Sequence, residues 1–189
     1  FGSEMIMQCV DRPFNSVQEM NQIMIDNWNG VVGKHDLVLH LGDVCENMTP
    51  EELATIMSQL NGHKLLVKGN HDIWTYSYFE ELGMVKLTQP ALVEIGGKKF
   101  CLGHGDGLGP VPFGYRFLHG VFHSRVAQFL FNLLHPWIAF RFGNGWSKSN
   151  RLSHDKEYVF GGKDEPLYKF AEEFASTHEV DYFVFGHYH

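Results

Sequence analysis

Leu65-Leu66-Val67-Lys68-Gly69-Asn70-His71-Asp72 is the stretch that decides the fold class. A short apolar run bounded by glycine reads as a buried strand, and the glycine lets the backbone turn sharply where it leaves the sheet. The amide, imidazole and carboxylate that follow then project over the strand's carboxyl end, where open α/β sheets bind ligands. The same order recurs at Leu37-Val38-Leu39-His40-Leu41-Gly42-Asp43, at Phe100-Cys101-Leu102-Gly103-His104 and at Phe183-Val184-Phe185-Gly186-His187-Tyr188-His189. Each time an apolar run, a glycine and a polar side chain able to bind metal appear in that sequence.

Helix signals lie between these strands. Ser16 to Glu19 reads as a capping box opening a helix to Trp28, with Val17, Met20, Ile23, Met24 and Trp28 on one face. Thr49-Pro50-Glu51-Glu52 predicts a second helix start, ending near Asn61-Gly62. Ile95-Gly96-Gly97-Lys98 predicts a hairpin turn, 165–178 a helix and 182–185 a last strand. Alternating helices and buried strands, with no repeat and no flexible linker, predict an α/β architecture built as one domain over 1–189.

Composition narrows the function classes. The 189 residues carry 15 Lys+Arg against 22 Asp+Glu and are 14% aromatic, which excludes disorder and argues against nucleic acid as a partner. Three cysteines without a C-x-x-C pair exclude a disulfide scaffold and a zinc ribbon. The charge is uneven. Residues 107–154 form a 48-residue stretch without one Asp or Glu, yet they hold Arg116, Arg125, Arg141, Lys148 and Arg151. Apolar residues from Phe117 to Leu134 recur there at helical spacing, which predicts an apolar, cationic helical insertion over 111–152. Such a segment reads either as an ordinary buried helical hairpin or as a surface for an anionic lipid, whose acyl chains are favourable to bury and whose phosphate meets cations.

The four strand ends can bring Asp43, Asn70, His104, His187 and His189 to one place. A carboxylate, an amide oxygen and imidazoles together suit Mn²⁺, Fe or Zn²⁺ better than Ca²⁺. A carboxylate can bridge two ions, and paired divalent ions promote phosphoryl hydrolysis.

These motifs resemble the calcineurin-like metallophosphoesterase family, whose pattern includes G-D, G-N-H-[DE], a histidine after glycine, and G-H-x-H. The resemblance implies a β-sandwich flanked by helices and two divalent metal ions, Mn²⁺ foremost. It implies Asp43 as the bridging ligand, Asn70, His104 and His187 on one ion and His189 on the other. It makes His71 and Asp72 the catalytic pair, His71 contacting the phosphoryl group and Asp72 orienting the loop. The family's first motif, Asp-x-His, does not precede Asp43. The chain is therefore expected to be a fragment cut at both ends, with one metal site incomplete.

From about residue 69 onward the chain further resembles the UDP-2,3-diacylglucosamine pyrophosphohydrolase branch in its Bacteroidetes-like form. The carrying residues are Gly69-Asn70-His71-Asp72-Ile73-Trp74, His104-Gly105-Asp106-Gly107-Leu108-Gly109-Pro110, Gly114-Tyr115-Arg116-Phe117-Leu118, Leu134-His135-Pro136 and Trp146-Ser147-Lys148. That resemblance implies lipid A biosynthesis and cleavage of a UDP-linked acylated glucosamine at its diphosphate, giving UMP and 2,3-diacylglucosamine 1-phosphate. It implies Asn70, His71, Tyr115, Ser147, Asn150 and Arg151 as substrate contacts, with the insertion as a lid. It also implies a cytoplasmic protein peripheral on the inner-membrane surface. Residues 1–42, with Phe1-Gly2-Ser3 and Asp11-Arg12-Pro13-Phe14, resemble instead another small phosphoesterase branch. Two other functions compete: a general phosphoesterase of small soluble substrates, and a non-catalytic lipid- or partner-binding module on a decayed scaffold.

Overall fold

Ser16 and Thr49 start the two helices that cover the core. The computed structural model describes residues 1–9, 12–46, 48–70, 72, 75, 77–133 and 160–187. Helix α1 spans Glu4–Cys9 and α2 spans Val17–Val31, where the Ser16 side chain accepts from the Glu19 backbone N–H. The expected capping box is only half formed. The Glu19 carboxylate accepts from the backbone N–H and the side-chain amide of Asn15 instead. Helix α3, Pro50–Gln59, has the full reciprocal box between Thr49 and Glu52. Its start therefore satisfies two backbone donors that would otherwise be left without partners.

Strands β1 (Leu37–His40), β2 (His63–Val67) and β3 (Val85–Leu87) form a parallel sheet in that order, with Leu39 opposite Leu65 and Leu65 opposite Val85. A short helix α4, Tyr78–Glu81, precedes β3. Strands β4 (Ala91–Ile95) and β5 (Lys98–Gly103) form the expected hairpin, and Gly96 and Gly97 both take positive φ, 59° and 74°. Two consecutive left-handed residues match the twist of a two-residue hairpin, and glycine adopts them at least cost. Strand β6, Tyr182–Phe185, lies parallel to β5, giving a second sheet in the order β4-β5-β6. Asp181 fixes its register: its backbone N–H donates to Lys99 O, and its carboxylate accepts from the Lys99 N–H and the Lys98 ammonium.

The core gathers Ile25 of α2, Leu53, Ile56 and Met57 of α3, Leu66 of β2, and Val44, Phe79 and Met84. Met20 of the face predicted for α2 is buried as expected, and Ile25, absent from that face, is buried too. Leu66 and Phe79 are both 0% exposed. This packing matters for the site, because it fixes the ends of β1 and β2 to one another.

The chain divides into two compact units, Phe1–Asp106 with Val180–His187, and Gly107–Glu179. The second contains α5 (Phe113–His123), α6 (Arg125–Asn132), a 3₁₀ turn at Gly162–Asp164 and α7 (Pro166–Thr177). The apolar helical run predicted from Phe117 onward is thus broken at Ser124, which caps α6 by accepting from the Ala127 N–H. The rest of the expected insertion, 134–152, lies outside the described residues. Among the described residues no helix is long and apolar enough to cross a membrane.

Candidate metal centre

Two glycines let the ends of β1 and β2 touch. Gly42 has φ 101°, and a Cβ on it would lie 2.7 Å from Gly69 Cα and 2.7 Å from His104 Nδ1. A Cβ on Gly69 would lie 2.8 Å from both Asp43 N and His104 Cε1. No side chain fits either position, so the two loops and the His104 ring close on one another only because both residues are glycine.

Asp72 locks that contact. It is 1% exposed, and its Oδ2 accepts from the backbone N–H groups of Asp43 (2.6 Å) and Gly69 (3.0 Å). Its Oδ1 accepts from the Val44 N–H (3.1 Å). Burial pushes its carboxyl above the usual range, and the three backbone donors oppose that shift. Asp72 therefore faces backbone and ties the loop after β1 to the loop after β2, an orienting task.

His104 follows β5 and is 1% exposed. Its Nδ1 lies 2.6 Å from the Leu41 carbonyl oxygen, which can only accept, so Nδ1 carries the proton. In the neutral ring Nε2 is then a lone pair. It faces Asn70 Oδ1 at 3.1 Å, Asp43 Oδ2 at 3.5 Å and His187 Nδ1 at 3.2 Å. The His104 and His187 rings meet edge-on, 5.0 Å between centroids. Asp43 and His187 both take positive φ, 53° and 70°, which is uncommon for residues with a side chain and concentrates at functional sites.

This convergence brings together one carboxylate oxygen, one amide oxygen and two imidazole nitrogens. All of these atoms lie within 3.5 Å of His104 Nε2, close enough for one ion to be held among them. The donor set therefore fits a divalent ion of the Mn²⁺, Fe or Zn²⁺ type. Leu41 O, hydrogen-bonded to the far side of the His104 ring, fixes the tautomer as an outer partner of a metal ligand does.

The structure thus brings together Asp43, Asn70, His104 and His187 of the residues read from the sequence, with Asp72 behind them. His71, His189, Ser147, Asn150 and Arg151 lie outside the described residues. Tyr115 belongs to the second unit. There it lines a cavity of about 160 Å³ with Gly107, Val111, Arg116 and His119, and its ring is 6.0 Å from that of His119. Two groups at the centre were missed. Leu41 contributes only a carbonyl, which leaves no sequence signal. Gln89 holds the His104 loop, and its only trace in the sequence is its place before Pro90 at the start of β4.

The calcineurin-like phosphoesterase family pattern matches residues 12–189. The chain belongs to that family. Two bacterial proteins named UDP-2,3-diacylglucosamine hydrolase are similar to it. That of Porphyromonas gingivalis is 32% identical over 136 residues, 64% of this chain and 52% of that protein. That of Psychromonas ingrahamii is 26% identical over 159 residues, 79% of this chain and 62% of that protein. An uncharacterized protein of Methanocaldococcus jannaschii is 31% identical over 126 residues, 66% of this chain and 65% of that protein. The chain thus spans between about half and two-thirds of the length of the curated relatives it matches. The α/β architecture with two small sheets and covering helices agrees with membership in this phosphoesterase family.

Proposed function

We propose that the protein is a metal-dependent hydrolase of phosphoric anhydride or ester bonds, acting on the diphosphate of UDP-2,3-diacylglucosamine or a close relative. The observation that carries the reading is the convergence of Asp43 Oδ2, Asn70 Oδ1 and His187 Nδ1 on His104 Nε2. Divalent ions held there, Mn²⁺ foremost, would supply Lewis acidity toward phosphoryl oxygens and activation of water. Asp43, Asn70, His104 and His187 would hold one ion, and Asp43 with His189 would hold the second. In the reaction a water oxygen bonds to one phosphorus while the bridging P–O bond breaks, releasing UMP and 2,3-diacylglucosamine 1-phosphate. His71 is assigned to donate to the phosphoryl oxygen or to protonate the leaving group. Asp72 keeps the two ligand loops in register.

The choice of substrate is supported by the two hydrolase-named relatives and by the second unit. That unit carries the acid-free stretch 107–154, and on it Phe113, Phe117, Val126 and Phe129 are each more than 60% exposed. An apolar stretch whose own charges are all cationic suits acyl chains beside a diphosphate. Tyr115, Ser147, Asn150 and Arg151 are the assigned contacts, and the same surface is assigned to rest peripherally on the cytoplasmic face of the inner membrane. A second reading, a phosphoesterase of small soluble substrates, is favoured by residues 1–42, whose Phe1-Gly2-Ser3 pattern resembles another branch. The test is Mn²⁺-dependent release of UMP, comparing UDP-2,3-diacylglucosamine with an unacylated UDP-sugar. A strong preference for the acylated substrate is expected; equal turnover of both overturns the lipid assignment and favours the second reading.

A further inference from the structure

Gln89 stands where the antiparallel ladder between β4 and β5 must stop. Ala91 is opposite Leu102, so the same register would set Pro90 opposite Gly103 and Gln89 opposite His104. Proline has no N–H and cannot continue the ladder. Beyond it the backbone N–H groups of His104 and Gly105 need an acceptor, since Gly103 through Asp106 are all buried.

The side-chain amide of Gln89 replaces the missing strand. Its Oε1 accepts from the His104 N–H (2.9 Å) and the Gly105 N–H (3.2 Å). Its Nε2 donates to the Asp106 backbone carbonyl (3.0 Å) and to Asp106 Oδ1 (2.8 Å). Four hydrogen bonds from one half-buried side chain thus hold three consecutive residues, one on each side of the left-handed Gly105, whose φ is 115°. The direction of the His104 backbone sets where its ring projects. Leu41 O holds the ring from one side, and Gln89 holds the backbone from the other.

We infer that Gln89 is a positioning residue of the metal centre: its amide substitutes for a neighbouring strand and aims His104 Nε2 at Asp43, Asn70 and His187. The inference rests on the reading of these four residues as metal ligands. It also explains why an amide fits best: only an amide makes all four bonds. A carboxylate at 89 could accept the two N–H bonds but would face the Asp106 carboxylate, and an apolar side chain would leave buried donors unpaired.

The test uses the complete protein with Gln89→Met and Gln89→Glu, and reads two quantities. Amide hydrogen exchange reports protection of the His104 and Gly105 N–H groups. Titration with Mn²⁺, followed by the electron paramagnetic resonance of the free ion, reports affinity. Gln89→Met is expected to lose protection at both amides and about tenfold in Mn²⁺ affinity, the scale seen when an outer partner of a metal ligand is removed. Gln89→Glu should keep the amide protection and recover part of the affinity. Unchanged protection in Gln89→Met, or lost protection with Mn²⁺ affinity within twofold of the parent, overturns the inference. A parent that binds no Mn²⁺, with His104→Ala indistinguishable from it, refutes the metal-site reading and the inference with it. A parent that loses Mn²⁺ on His104→Ala but keeps it on Gln89→Met refutes the inference alone.

Discussion

Replacing Asp72 by asparagine changes one oxygen for an NH₂ group in a place with no room for a donor. The carboxylate accepts three backbone N–H bonds, two on Oδ2 from Asp43 and Gly69 and one on Oδ1 from Val44. The best asparagine rotamer keeps its oxygen on the Asp43 and Gly69 pair and turns its NH₂ toward the Val44 N–H. One hydrogen bond to a charged acceptor is lost, about 1.5–3 kcal/mol, and two donors face each other in a 1% exposed site, about 1–3 kcal/mol more. Removing the buried charge offsets part of this, because burial already disfavours the ionised form and pushes the Asp72 pKa up. The net expectation is a loss of about 2–4 kcal/mol. Urea denaturation followed by circular dichroism reads this as a midpoint lowered by about 1–2 M, given typical slopes for small domains. Asp72→Ala, which frees all three N–H groups, should fall further. An asparagine variant within about 0.5 kcal/mol of the parent would refute the view that this carboxylate locks the two ligand loops together.

Gly69→Ala places a Cβ 2.8 Å from Asp43 N and His104 Cε1; it is expected to cost about 1–3 kcal/mol and to weaken Mn²⁺ binding measurably. Gly30→Ala, where a Cβ meets nothing within 4 Å, is the control, and should leave metal binding unchanged while raising stability by up to about 1 kcal/mol. His40 supplies a pH dependence. Its Nδ1 accepts from the Gly42 N–H, and burial carries its pKa from 6.5 down to about 4. The folded protein therefore binds fewer protons than the unfolded chain between those values. The contribution is complete above pH 6.5 and is lost as the pH falls toward 4, by up to roughly 3 kcal/mol. Urea midpoints measured across that range should fall less steeply in His40→Gln than in the parent; parallel slopes would contradict the assignment.

Much of the ligand arrangement was legible because it follows from short-range rules. An apolar strand, a glycine and a polar side chain name their own geometry, and the structure places Asp43, Asn70, His104 and His187 at adjoining strand ends accordingly. What was not legible depends on partners distant in sequence. Gln89 matters only because β4 and β5 pair in a register that sets Pro90 against Gly103, and neither residue signals that alone. The same holds for Leu41, whose carbonyl meets a ring 63 residues away. Glu19 shows the limit at short range: its spacing from Ser16 fits a capping box, yet Asn15 offers two donors and draws the carboxylate off. Helix α1 and strand β3, six and three residues long, are too short for periodicity to reveal.

The account turns on whether His104 holds a divalent ion that makes the protein a phosphoesterase. The direct measurement is hydrolysis of a chromogenic phosphodiester by the complete protein as Mn²⁺ is titrated, in the parent and in His104→Ala. The account predicts Mn²⁺-dependent turnover in the parent that falls about a hundredfold or more in the variant, with the variant still folded by circular dichroism. Equal turnover in the two proteins, or turnover in the parent that is indifferent to Mn²⁺ after chelation, would contradict it.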